Sequence, residues 1–85
     1  MNIKTLIQTE ITNLSTNEQY WGTEENINNE NKIFDYMLTR DIVTQDWFDD
    51  KLNYTNVERL QALLNRFNER KILMERAIQA FGTSS

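Results

Sequence analysis

The sequence predicts an all-α fold, a small helical bundle of three or four helices with a long C-terminal helix over about residues 56–81. Three observations carry that expectation. Proline is absent and only two glycines occur in 85 residues, so little in the chain forbids helix. Apolar residues recur at steps of three and four, the period of one helix face and not the alternation of a strand. Residues that cap helix starts stand ahead of the periodic stretches.

Taken in order, Ile3, Leu6, Ile7, Ile11 and Leu14 define a first helix near residues 3–13, with Asn2 as its cap. Ser15 with Glu18 matches a capping box ahead of a single turn over 16–21, which Gly22 closes in a left-handed conformation. Thr23, followed by Glu24 and Glu25, signals a second helix start. The asparagine-rich run that follows, Asn26 to Asn31, favours local side-chain hydrogen bonds, so regular helix is expected only from near Glu30 to about Arg40. Ile33, Phe34, Met37 and Leu38 form its apolar face. Thr44 caps a short third helix, with Val43 and Phe48 at the staple positions and Trp47, Phe48 and Leu52 on its buried side.

The last helix carries the clearest signal. Thr55 and Glu58 form a second capping box, and from Val57 the apolar spacing alternates between three and four: Val57, Leu60, Leu64, Phe67, Lys71, Met74, Ile78, Phe81. This is a heptad seam with one charge in it, the pattern by which helices pair lengthwise. Leu63, Ile72, Leu73, Ala77 and Ala80 lie off the seam, so the C-terminal half is apolar on more than one face. Lys71 has two readings: a polar seam residue that fixes register, or an aliphatic stem packed in the groove with its ammonium turned to water. Arg70 and Glu75 flank it at positions that can pair across an interface. Gly82 reads as the C-terminal cap, residues 1–82 as one helical domain and 83–85 as a loose tail.

Composition excludes several kinds of chemistry. With neither cysteine nor histidine there is no disulfide, no zinc site built on those ligands, no thiol nucleophile and no imidazole base. The two glycines are too far apart for a phosphate-binding loop. No catalytic constellation and no cofactor is implied, so the expectation is a protein that is not an enzyme. Asp46, Asp49 and Asp50 can share one side of a helical turn, but the alternating oxygen ligands and glycine of a calcium loop are missing, and no metal site is expected. Met1 to Leu14 lacks the apolar core of a signal peptide and no later stretch is long enough to span a membrane, which sets the expectation of a cytoplasmic protein with no membrane partner.

Charge is unevenly placed on a chain whose net charge is -4. Residues 24–51 hold Glu24, Glu25, Glu30, Asp35, Asp41, Asp46, Asp49 and Asp50 against Lys32, Arg40 and Lys51, whereas residues 52–85 are net basic through Arg59, Arg66, Arg70, Lys71 and Arg76. A helix-turn-helix drawn over 30–40 and 45–52 would offer Asp46, Asp49 and Asp50 to a phosphate backbone, which disfavours nucleic acid as a partner. The acidic stretch has three readings: a solvated face, a surface that docks a protein and, least favoured, a mimic of nucleic-acid charge. Trp47 and Phe48 are neighbours that cannot face the same way, and Trp21 stands beside a glycine, so Trp47 and Trp21 are candidate contact aromatics.

The functional expectation is therefore a non-enzymatic interaction module, an adaptor or inhibitor. It self-associates as a homodimer or larger assembly through the 56–81 helix. To another protein it presents an acidic surface of Glu24, Glu25, Asp46, Asp49 and Asp50 with Trp47 and Trp21. The alternative is a small structural subunit of a symmetric assembly such as a virion, consistent with the general character of small viral and phage proteins. A transcriptional regulator stands behind both.

Overall fold

Each helix begins where a capping side chain takes up an exposed amide. Asn2 Oδ1 accepts from the Thr5 amide at 2.8 Å and opens α1, Ile3–Thr16. Thr23 Oγ1 accepts from the Asn26 amide at 3.2 Å at the start of α2, Glu24–Thr39. Thr44 Oγ1 does the same for the Trp47 amide at 3.1 Å in α3, Gln45–Asp50. The reciprocal capping box forms ahead of α4, Asn56–Gly82: Thr55 Oγ1 accepts from the Glu58 amide at 3.2 Å while Glu58 Oε1 accepts from the Thr55 amide at 3.3 Å. The computed structural model describes residues 2–82, and among them the chain is the expected all-α bundle with a long C-terminal helix, the first two helices being joined by a 3-10 turn at Glu18–Tyr20.

Boundaries differ from expectation in four places. The helix α1 runs three residues beyond 13, through Ser15, so the Ser15–Glu18 box does not form; Asn17 leaves the helix with φ −141° and its Oδ1 accepts from the Gln19 amide at 3.0 Å instead. The second helix starts at Glu24, not near Glu30. Two of the asparagines that should have weakened its first turns, Asn26 and Asn29, turn their amides to a buried carboxylate on α1 and leave the helical backbone bonds intact. Leu52 lies beyond the end of α3 and is 52% exposed, so it does not belong to the buried side. Gly82 is itself the last residue of α4 and is not in the left-handed region, which only Gly22, at φ +74°, occupies among the described glycines. The expected tail at 83–85 lies outside the described residues.

The exit from α2 is a Schellman motif: the Ile42 amide donates to the Met37 carbonyl at 2.9 Å and the Asp41 amide to the Leu38 carbonyl at 3.2 Å. Asp41 takes the left-handed conformation that glycine usually fills, with φ 56°. Ile42 and Met37, the apolar pair such a motif brings together, are both buried.

Helix directions follow from the contacts. Asn2, Ile3 and Leu6 share a cleft with Phe67 and Lys71, while Leu14 shares one with Val57, so α1 runs antiparallel to α4. Glu30 pairs with Arg59 at 3.5 Å and the end of α2 lies beside Phe67 and Lys71, so α2 runs parallel to α4. The segment from Asp41 through α3 returns the chain to the start of α4, with Phe48 stacked on Phe34 at 3.8 Å between ring centres. The core is Ile3, Ile7 and Leu14 from α1, Ile33 and Met37 from α2, Ile42 and Val43 from the turn, and Leu60 and Leu63 from α4. All of these α4 core residues lie in the first third of a 27-residue helix about 40 Å long.

Candidate protein-interaction site

The heptad seam is divided by the bundle. Leu60 is 2% exposed and Val57, Leu64 and Phe67 pack half-buried against the same core, chiefly under α1. These four of the expected self-association residues are therefore committed within the subunit. From Lys71 to Gly82 every residue is exposed. Met74 is 55% and Ile78 66% open to solvent, Phe81 79%, and off the seam Ile72 and Leu73 are 48% and 55% exposed. The physical reason is length: α1 begins and α2 ends level with Phe67 and Lys71, so beyond that point only the end of α2 and its following turn face α4, across an open cleft. The projecting helix and the bundle end make a concave corner of about 660 Å³, walled by apolar side chains such as Tyr36, Phe67, Met74 and Ile78 and edged by Arg40, Arg70 and Lys71 together with Asp41 and Glu75.

The acidic residues are dispersed by the fold. Glu24 and Glu25 are exposed in the first turn of α2, and Asp46, Asp49 and Asp50 are exposed on α3. No hydrogen bond, ion pair or cleft joins the two sets among the described residues, and no three carboxylates there converge as they would on a metal ion. Asp49 accepts from Gln45 Nε2 at 2.8 Å and Asp50 pairs with Lys51 at 3.2 Å. Trp47 is half-buried against the core, with the Lys51 ammonium 5.7 Å from its ring centre. Trp21 is 39% exposed and its indole N–H donates to the Leu14 carbonyl at 2.6 Å, which fixes the ring over the end of α1. Both tryptophans thus serve the fold with one side and face water with the other.

Two features escaped the reading of the sequence. Glu10 is wholly buried on α1, where its Oε1 accepts from the Tyr20 hydroxyl and from Asn29 Nδ2 at 2.7 Å, and its Oε2 from Asn26 Nδ2 at 2.9 Å. Asn26 Oδ1 in turn accepts from the Gly22 amide at 3.0 Å. Burial, then the contact with Glu10, holds the Tyr20 hydroxyl above its ordinary pKa. The available signal was Glu10 itself, a charge at the step of three to four from Ile7 and Leu14 on the face that is buried. The network is closed to solvent at its carboxylate and ties α1, the 3-10 turn and α2 together. The second feature is Glu30, which lines a cleft with Phe34, Phe48, Leu60 and Leu63 and whose Oε1 meets no hydrogen-bond donor. Burial pushes the Glu30 carboxyl up, opposed by the Arg59 guanidinium.

No helix among the described residues is long and apolar enough to cross a membrane. No family model, no curated protein and no solved structure matches the chain.

Proposed function

We propose that the protein is a non-catalytic interaction module, of adaptor or inhibitor type, that self-associates through the exposed half of α4 and offers its acidic 24–50 surface to a protein partner. The observation that carries this reading is the run Lys71 to Gly82, which leaves the bundle with Ile72, Leu73, Met74 and Ile78 all about half exposed or more. A contiguous apolar stretch of that kind on a small protein marks an interaction surface or an aggregation hazard. Small size favours the first, since a domain of this length gains from association that buries more of its surface. The exposed carboxylates of α3 support the second half of the reading, because an acidic field steers and orients a basic partner.

Light scattering behind a sizing column, over a range of concentrations and at two salt levels, tests the self-association. The wild type is expected to gain mass with concentration, and a Met74→Glu, Ile78→Glu double variant to stay monomeric with unchanged helicity. A wild type that remains monomeric throughout overturns the reading. For the acidic surface the test is capture of a partner that Asp46→Lys with Asp49→Lys abolishes and the α4 variant does not. The second reading, a structural subunit, is favoured by one observation: Arg70, Lys71 and Arg76 are exposed on α4 while the carboxylates lie on α2 and α3. Head-to-tail contact between these surfaces builds rings where its rotation closes and open polymers where it does not, and salt dissolves either.

A further inference from the structure

We propose that two copies pair antiparallel through residues 70–82 of α4, each helix end reaching the corner formed by α1 and α2 of the other copy. The proposal rests on the self-association reading and specifies its geometry. The occupant is a second copy of this chain, and four observations select it and its direction.

The first is the course of α1. It lies antiparallel to α4 along the seam and stops at Ile3, level with Phe67 and Lys71, while the seam continues through Met74 and Ile78. A helix lying antiparallel on residues 70–82 continues the line that α1 leaves, and its end abuts the start of α1. A parallel copy would carry its own residues upstream of 70 into the space α1 already fills.

The second is register. The seam places Lys71 and Ile78 at one heptad position and Met74 and Phe81 at the other. Antiparallel overlap of the two projecting segments sets Met74 against the other copy's Ile78, twice about the two-fold axis, which crosses near residue 76. Ala77 lies beside that axis, where a small side chain lets the helices approach. Leu73 and Ala80 widen the apolar stripe on the same side.

The third is charge. The C-terminal end of α4, the negative end of a helix dipole, comes to the corner where Arg40, Arg70 and Lys71 outweigh Asp41 and Glu75, and to the start of α1, a positive end with Lys4 beside it. The fourth is extent. Thirteen residues of overlap span about 20 Å, an interface at the small end of the specific range, below about 1,200 Å² in total. The dimer therefore dissociates on dilution.

One charge opposes the arrangement and makes it distinguishable. Glu75 falls near the other copy's Glu75 across the axis, whereas parallel, in-register pairing would set it against the other copy's Arg70.

The chain has no cysteine, so introduced thiols report the geometry without background. In the full chain, air oxidation is expected to link Ala77→Cys to itself, and to link Met74→Cys with Ile78→Cys in a mixture, while Met74→Cys alone gives little dimer. Sedimentation of Glu75→Gln is expected to show a dimer roughly two- to five-fold tighter, the size of one exposed charge contact. Helicity measured beside each variant reports the fold. Efficient self-linking of Met74→Cys, with Glu75→Gln weakening the dimer, overturns the antiparallel arrangement and leaves the self-association reading standing. A dimer by mass that no α4 cysteine links places the interface elsewhere and overturns it too. A monomer at every concentration overturns both.

Discussion

The first half of α4 and the second carry the same heptad pattern, yet Leu60 is 2% exposed and Ile78, in the second half, is 66% exposed. The difference lies in the neighbours and not in the helix. Over residues 56–70 the seam packs on α1, which is fourteen residues long, whereas beyond Lys71 only the end of α2 and its following turn face Met74 and Ile78, across an open cleft. A 27-residue helix against a 14-residue one leaves the excess uncovered. An apolar heptad therefore marks a face suited to pairing with a helix, and the length of the other helices decides how much of that face is covered within the subunit.

Substitutions of equal chemistry in the two halves break the comparison most directly. Leu60→Ala removes a buried side chain and leaves a cavity, so thermal or urea unfolding should show a loss of about 2–5 kcal/mol. Ile78→Ala should change the stability of dilute, monomeric protein by less than about 0.5 kcal/mol and act only on the assembled form. Equal losses at both sites in dilute protein would mean that the second half is also part of the core.

The polar centre of the bundle comes next in size. Asn26→Ala strips a donor from Glu10 Oε2 and an acceptor from the Gly22 amide. Urea melts should record about 1–3 kcal/mol of destabilisation, the cost of unpaired buried groups. Hydrogen exchange sharpens the point: amides of residues 60–68 should exchange only through global opening, and those of 74–80 much faster in dilute protein. A protein in which both segments exchange alike would erase the distinction.

Asp41 sits where the bundle ends and the corner begins. Its left-handed backbone at φ 56° is strained for a residue with a side chain, so Asp41→Gly should raise stability by about 0.5–1 kcal/mol, read as a higher melting midpoint. The smallest effect concerns pH. Burial raises the folded-state pKa of Glu30 above 4.5, so between the unfolded and folded values the native state holds more protons. Its ionisation therefore costs stability that is absent below the unfolded pKa and fully felt above the folded one. Glu30→Gln should flatten that limb of the stability profile through the acid range. An unchanged slope would show that the cleft is better hydrated than its lining suggests.

Much of this was legible in the residues. Asn2, Thr23, Thr44 and the pair Thr55 and Glu58 act as the caps their types predict, because a cap is a local contact over three residues. Gly22 adopts the left-handed turn for the same local reason. The asparagine run was misjudged because Asn26 and Asn29 answer to Glu10, sixteen and nineteen residues away. The Glu30–Arg59 pair spans a still longer stretch of chain and was equally out of reach.

The sequence by itself determined the helices, their caps, the seam along α4 and the absence of thiol and imidazole chemistry, since each depends on residue type and short spacing. Only the tertiary structure decided which half of the seam is internal, that a buried carboxylate joins α1 to α2, and that Trp47 and Trp21 each pack one side into the fold. Those outcomes depend on where helices of unequal length stop against one another, a relation between distant segments that no local pattern encodes.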